Sequence, residues 1–202
     1  MSRAAQRYRK WEREALENSW EDARRLALDL YHGRPGPLGP YEIGLALEPG
    51  EVLYRQVWAP YWALGSTTEL VDGYGRVKVV PPAWRDWGWC HTVITSQRLA
   101  TRLAADGGRL VSNWWPSIAG VQVDLGCHLV ALDDRAGSWR GAYGGPAAAI
   151  MAVAAIERVH GPAALVRHPA LAPLRDKLAD GRPLGSGLAQ HVSGHAGDGQ
   201  TV

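Results

Sequence analysis

Residues 147–160 (AAAIMAVAAIERVH) hold the strongest constraint in this chain of 202 residues. Gly144-Gly145-Pro146 precedes the run and Gly161-Pro162 follows it. Proline at the first helical position loses little, because its missing N–H would have no intrahelical partner there. Glycine followed by proline ends a helix. Between these signals the helix is apolar nearly all round until Glu157, so most of its surface must be covered. It is too short to cross a bilayer, which takes about 20 apolar residues. The cover must be protein, and the segments before it indicate what kind.

From Gly50 the apolar period is two rather than 3.6. Glu51–Trp58 (EVLYRQVW) reads as a strand, followed by a polar loop over residues 65–75. Arg76–Val80 reads as a second strand, ended by Pro81-Pro82. Trp84–Trp89 fits no simple class. His91–Arg102 reads as a long strand with a turn near Ser96, and Asp106-Gly107-Gly108 is a hairpin turn before a returning strand, Arg109–Trp115. Val121, Val123 and Leu125 alternate with small or polar residues, and Leu129–Leu132 with Ser138–Tyr143 forms a last hairpin. Six or seven antiparallel strands followed by one buried helix is an α+β architecture, in which the helix plugs the open side of a curled sheet.

Flanking segments complete the organisation. Residues 1–33 read as an amphipathic helix, with apolar Tyr8, Trp11, Ala15, Ala23, Leu26 and Leu30 and a stop at Gly33. Its first turns are basic (Arg3, Arg7, Arg9, Lys10) and its middle acidic (Glu12, Glu14, Glu17, Glu21, Asp22). It is either a partner- or membrane-surface helix or a solvated helix packed on its own domain. Residues 34–49 form a Pro/Gly-rich linker. The domain proper covers 50–161, a short extension follows over 162–178, and the Gly-rich 179–202 is expected to be a disordered tail.

Composition narrows the function. A net charge of +2 gives no electrostatic case for nucleic acid. No signal-peptide pattern opens the chain, so a cytoplasmic location with reduced thiols is expected. Phenylalanine is absent and there are 10 tryptophans, which must carry much of the aromatic packing. Trp58, Trp62, Trp84, Trp87 and Trp89 fall within one stretch. They are either interface anchors or a second core under the first helix.

No catalytic set emerges, and no metal site or cofactor is expected. The seven histidines include no HExxH. His191 and His195 have metal-like spacing but lie in the tail, without further ligands. Cys90-His91 and Cys127-His128 repeat a pair, yet adjacent strand residues face opposite ways and chelate poorly through both side chains. Gly141–Gly145 lacks the Walker lysine, and Asp133-Asp134 sits in a turn with no acid/base partner.

Ordered motifs do stand out. Gly50-Glu51-Val52-Leu53 opens the first strand; Val93-Ile94-Thr95 steps to Arg98-Leu99; Trp114-Trp115 leads to Ile118; an apolar helix closes the set. In this order of parts, residues 50–161 resemble the bacterial PH-like family of the pleckstrin-homology and GRAM superfold. On the residues themselves, Thr95 suits a pleated surface, Arg98 has an acidic neighbour such as Asp124 in prospect, and Trp115 caps one end of the core.

The resemblance implies an antiparallel PH-like β-sandwich or barrel capped by its C-terminal helix. It further implies a non-catalytic binding or scaffolding module, engaging a protein partner or forming a homo-oligomer. Trp62, Trp84, Trp87 and Trp89 are the candidate partner-binding residues. Some relatives in that superfold hold inositol phosphates with basic strand residues. Arg55, Arg76 and Lys78 are the corresponding anion-binding candidates, which would make an anionic membrane surface the alternative partner. Glu69 and Asp72 in the intervening loop depart from that pattern.

Overall fold

The computed structural model describes residues 3–34, 44–70, 77–137 and 140–176. Seven antiparallel strands form one curled sheet, a half-barrel, in the order β4-β3-β2-β1-β7-β6-β5. In chain order they are β1 (Leu53–Leu70), β2 (Val77–Thr95), β3 (Arg98–Leu103), β4 (Arg109–Trp114), β5 (Ile118–Asp124), β6 (Leu129–Asp134) and β7 (Arg140–Gly144). The first four strands meander and so do the last three. Register pairs Tyr61 on β1 with Tyr143 on β7, which joins the two meanders.

The alternation sorts β1 and β2 into two faces. Val57 pairs with Thr92 and Ala59 with Cys90, and all four are buried on the inner face. Helix α2 (Ala148–His160) packs on β5, β6 and β7, and every residue from Ala148 to Glu157 is buried. The other side of α2 is covered by helix α1 (Arg3–Tyr31). Two covers explain a helix that is apolar all round.

Helix α1 docks by its C-terminal half. Ala23, Leu26, Ala27 and Leu30 are buried, spaced three or four residues apart on one face. The Ser19 hydroxyl donates to the carbonyl of Pro146 at the entry to α2. The helix therefore packs on its own domain rather than standing off on the linker. Short helices α3 (Ala164–Arg167) and α4 (Ala172–Asp176), with a 3-10 turn over Pro169–Leu171 between them, extend the core through buried Leu165, Leu171 and Leu174. Among the described residues no helix is long and apolar enough to cross a membrane. The tail from residue 179, with His191 and His195, lies outside them.

Two strand boundaries differ from expectation. The backbone of residues 65–70 continues β1 instead of looping, and β2 runs unbroken through Pro81-Pro82 and the tryptophan segment. The prolines fall where the register shifts between Gly65 and Thr67. A bulge tolerates residues that cannot donate to a ladder.

Candidate interaction surface

Residues directly opposite in an antiparallel ladder share a face. On the outer face this gives one row of Gln56, Val93, Ala100 and Ser112 and a second of Trp58, His91, Arg102 and Leu110. Among the described residues, one end of this face is covered and the other is not.

At the covered end, residues 44–51 cross the strands as a strap. Leu45 packs over buried Leu53, Val93 and Ala100. The strap is clamped by Arg98, whose Nε and Nη2 donate to the two oxygens of Glu51 at 2.9 and 3.0 Å. Nη2 also donates to the carbonyl of Ala46 at 2.8 Å. Thr95 donates its hydroxyl to Glu51 at 2.6 Å. Burial pushes the Glu51 carboxyl up, but the hydrogen bonds from Arg98, Thr95 and the Glu48 N–H outweigh it, and the group sits below its ordinary value. Glu51, not Asp124, is therefore the partner of Arg98. Arg102 ties down the start of the strap by donating to the Gly44 carbonyl at 2.9 Å. Trp115 is buried at the same end, its indole donating to the Thr95 carbonyl at 2.9 Å.

The other end carries tryptophan. Trp58 is 60% exposed and Trp89 47%, on neighbouring positions of β1 and β2. The Trp58 ring lies 5.4 Å from that of His91. Burial, then the Arg102 charge, lowers the His91 pKa, so the ring is held neutral beside the tryptophan. Trp62 is half-buried because its ring lies over Gly144: a β-carbon there would sit 2.9 Å from the ring. Glycine at 144 is what lets the indole lie flat on β7. At the next residue, Gly145, a β-carbon would come within 3.3 Å of the Pro60 ring, and a φ of +75° is a second reason for glycine. Leu129, paired with Gly144, continues the surface and is itself exposed. Trp84, 50% exposed, lies further out along the hairpin opposite Leu64.

The candidate tryptophans thus divide. Trp84 and Trp89 are half exposed and Trp62 is the half-buried floor beside them. Trp87 is a correction: it is buried in the core, with the Arg85 guanidinium stacked 3.9 Å from its ring. The cause is a bulge. Trp87 and Gly88 lie between the pairs Pro60–Trp89 and Trp62–Asp86, which breaks the alternation. Trp58, named in the cluster but not among the site residues, is the most exposed of the five. No local signal ranks them, because exposure depends on where the strap and helices lie.

Of the anion-binding candidates, only Arg55 is placed by the described side chains. Arg55 is 3% exposed, and its Nε donates to Asp22 of α1 at 2.7 Å, with Asp29 at 3.7 Å. It fastens α1 to the sheet and is closed to an outside anion. Arg76 lies outside the described residues, as does the side chain of Lys78.

The cysteine pairs do not converge. Cys90 is buried on the inner face, where burial raises its thiol pKa, while His91 faces outward. Cys127 is exposed in the β5–β6 turn, its N–H donating to Asp124 at 3.0 Å. Among the described residues no group of three or more His, Cys, Asp or Glu side chains is placed to hold a metal ion. Inside the sheet, Thr92, Thr101 and Tyr143 form a buried hydrogen-bonded chain that partly buried Asn113 joins, with Tyr143 stacked 4.7 Å from Tyr61. Burial raises the Tyr143 phenol well above its ordinary value, so it stays protonated and serves the chain as donor and acceptor.

No protein-family model matches the chain, and no characterised protein and no solved structure matches it.

Proposed function

We propose that this chain is a non-catalytic, cytoplasmic PH-like module that binds a protein partner through the tryptophan end of its outer sheet face. The observation that carries this is the exposure of Trp58, Trp84 and Trp89 around Trp62, with exposed Leu129 alongside. Large rigid aromatics half out of solvent are the side chains that dominate protein interfaces. The partner surface is the outer face of β1, β2 and β7, so Trp62 and Trp89 act with Trp58 and Trp84, and Trp87 serves the fold. The PH-like reading is supported by the order of parts: four meandering strands, three more returning beside the first, then one apolar helix packed on the last three strands.

Photo-crosslinking in the host cell tests it. A photoreactive residue at position 58 or 89 should yield a defined protein adduct, and one at exposed Arg167 of α3, on the helix side of the sheet, should not. Equal adducts at all three positions, or none at 58 and 89, would remove the proposal.

A further inference from the structure

We propose that the projecting half of α1 pairs antiparallel with the same segment of a second copy of this chain. This interface is separate from the tryptophan face and does not rest on it. Burial along α1 begins at Ser19; from Gln6 to Asn18 every described side chain is exposed or only partly covered. Residues 3–18 have about the length at which an isolated helix is marginal in water. The exposed Lys10–Glu14 pair, at 3.7 Å, adds little support.

This segment carries a groove of about 440 Å³ that, among the described residues, is lined by α1 alone. Its walls are two adjacent i, i+4 rows: Arg9, Arg13, Glu17 and Glu21 on one side, Glu12, Leu16 and Trp20 on the other. Helices pack by laying such a row of one into the groove beside the same kind of row of another. The first row reads plus, plus, minus, minus. Run antiparallel against a copy of itself, it sets Arg9 beside the second copy's Glu21 and Arg13 beside its Glu17, each contact occurring twice about a two-fold axis near residue 15. A parallel pairing would set like charge against like. The closed, self-complementary contact commits the groove to a second copy. Arg24, then Arg25, hold the Glu21 carboxylate ionised from the docked half, so the heavier share falls on Arg13 and Glu17.

Sedimentation equilibrium of the full chain tests this. The wild type should show a monomer–dimer equilibrium that weakens with salt. Arg9→Glu/Arg13→Glu should raise the dissociation constant about tenfold or more, and so should Glu17→Arg alone, which leaves the docked half untouched. Mixing the Arg9→Glu/Arg13→Glu chain with a Glu17→Arg/Glu21→Arg chain should restore a heterodimer. Trp58→Ser/Trp89→Ser should leave the dimer intact. A wild type that stays monomeric, including one whose basic turns bind anionic vesicles instead, would overturn the inference. So would a dimer indifferent to charge reversal, a mixture that stays monomeric, or a dimer abolished by the tryptophan changes.

Discussion

The two ends of the outer sheet face are built from the same strands and treated oppositely. At one end β1, β2 and β3 present Leu53, Val93 and Ala100, and the chain covers them with its own strap. At the other end β1 and β2 present Trp58 and Trp89, far larger apolar groups, and leave about half of each in water. The fold has a means of hiding apolar outer residues and uses it on the smaller ones. Their total area does not explain the choice, since a tryptophan costs more to leave exposed than a valine. The bare end is the part of the face whose composition folding alone does not account for.

Removing the clamp is the severest way to erase the contrast. Arg98→Met leaves the Glu51 carboxylate, wholly enclosed, without its cation. Breaking a buried pair from one side costs about 3–5 kcal/mol. Urea unfolding should show a loss of that order. A loss under about 1 kcal/mol would mean that the strap is not held as a unit by this pair. Replacing both partners with apolar side chains of similar volume should cost less than Arg98→Met alone.

Acid acts on the same clamp. The Glu51 pKa is lowered in the folded state from an ordinary 4.5, so its contribution is complete above that value and fades as pH falls through the lower folded one. Unfolding free energy should therefore drop between neutrality and acid pH more steeply in the wild type than in Glu51→Gln. Parallel curves for the two proteins would contradict the clamp.

Leu45→Ser probes the cover rather than its fastening. Leu45 is partly exposed, and truncating it uncovers the small Leu53–Val93–Ala100 cluster without stranding a charge. A loss of about 1 kcal/mol is expected in the same unfolding assay.

What could be seen in the sequence follows the range of each signal. The apolar helix at 147–160, the turn at Ser96 and the Asp106–Gly108 hairpin are set by residues a few positions apart, and the alternation of β1 and β3 by neighbours. Trp87 escaped because one bulged glycine shifts the parity of everything before it, and nothing in RDWGW marks which tryptophan turns inward. The Arg98–Glu51 pair spans 47 positions, and Arg55 meets carboxylates supplied by a separate helix. Spacing cannot report partners brought together only by the finished fold. The same limit hid Trp58, whose exposure is settled by where the strap stops.

The smallest effect is the most informative. Trp58→Ser/Trp89→Ser removes two large apolar side chains from a sheet whose inner packing is untouched. Each ring is already about half solvated, and the His91 ring loses its contact with Trp58. If the bare end exists for a partner, stability in urea should change by about 0.5 kcal/mol or less, the range of an ordinary surface substitution. If the rings instead shield the ladder beneath them, the double variant should fall toward the loss expected for Leu45→Ser or beyond. The two ends of the face would then be alike, one covered by a strap and the other by its own tryptophans.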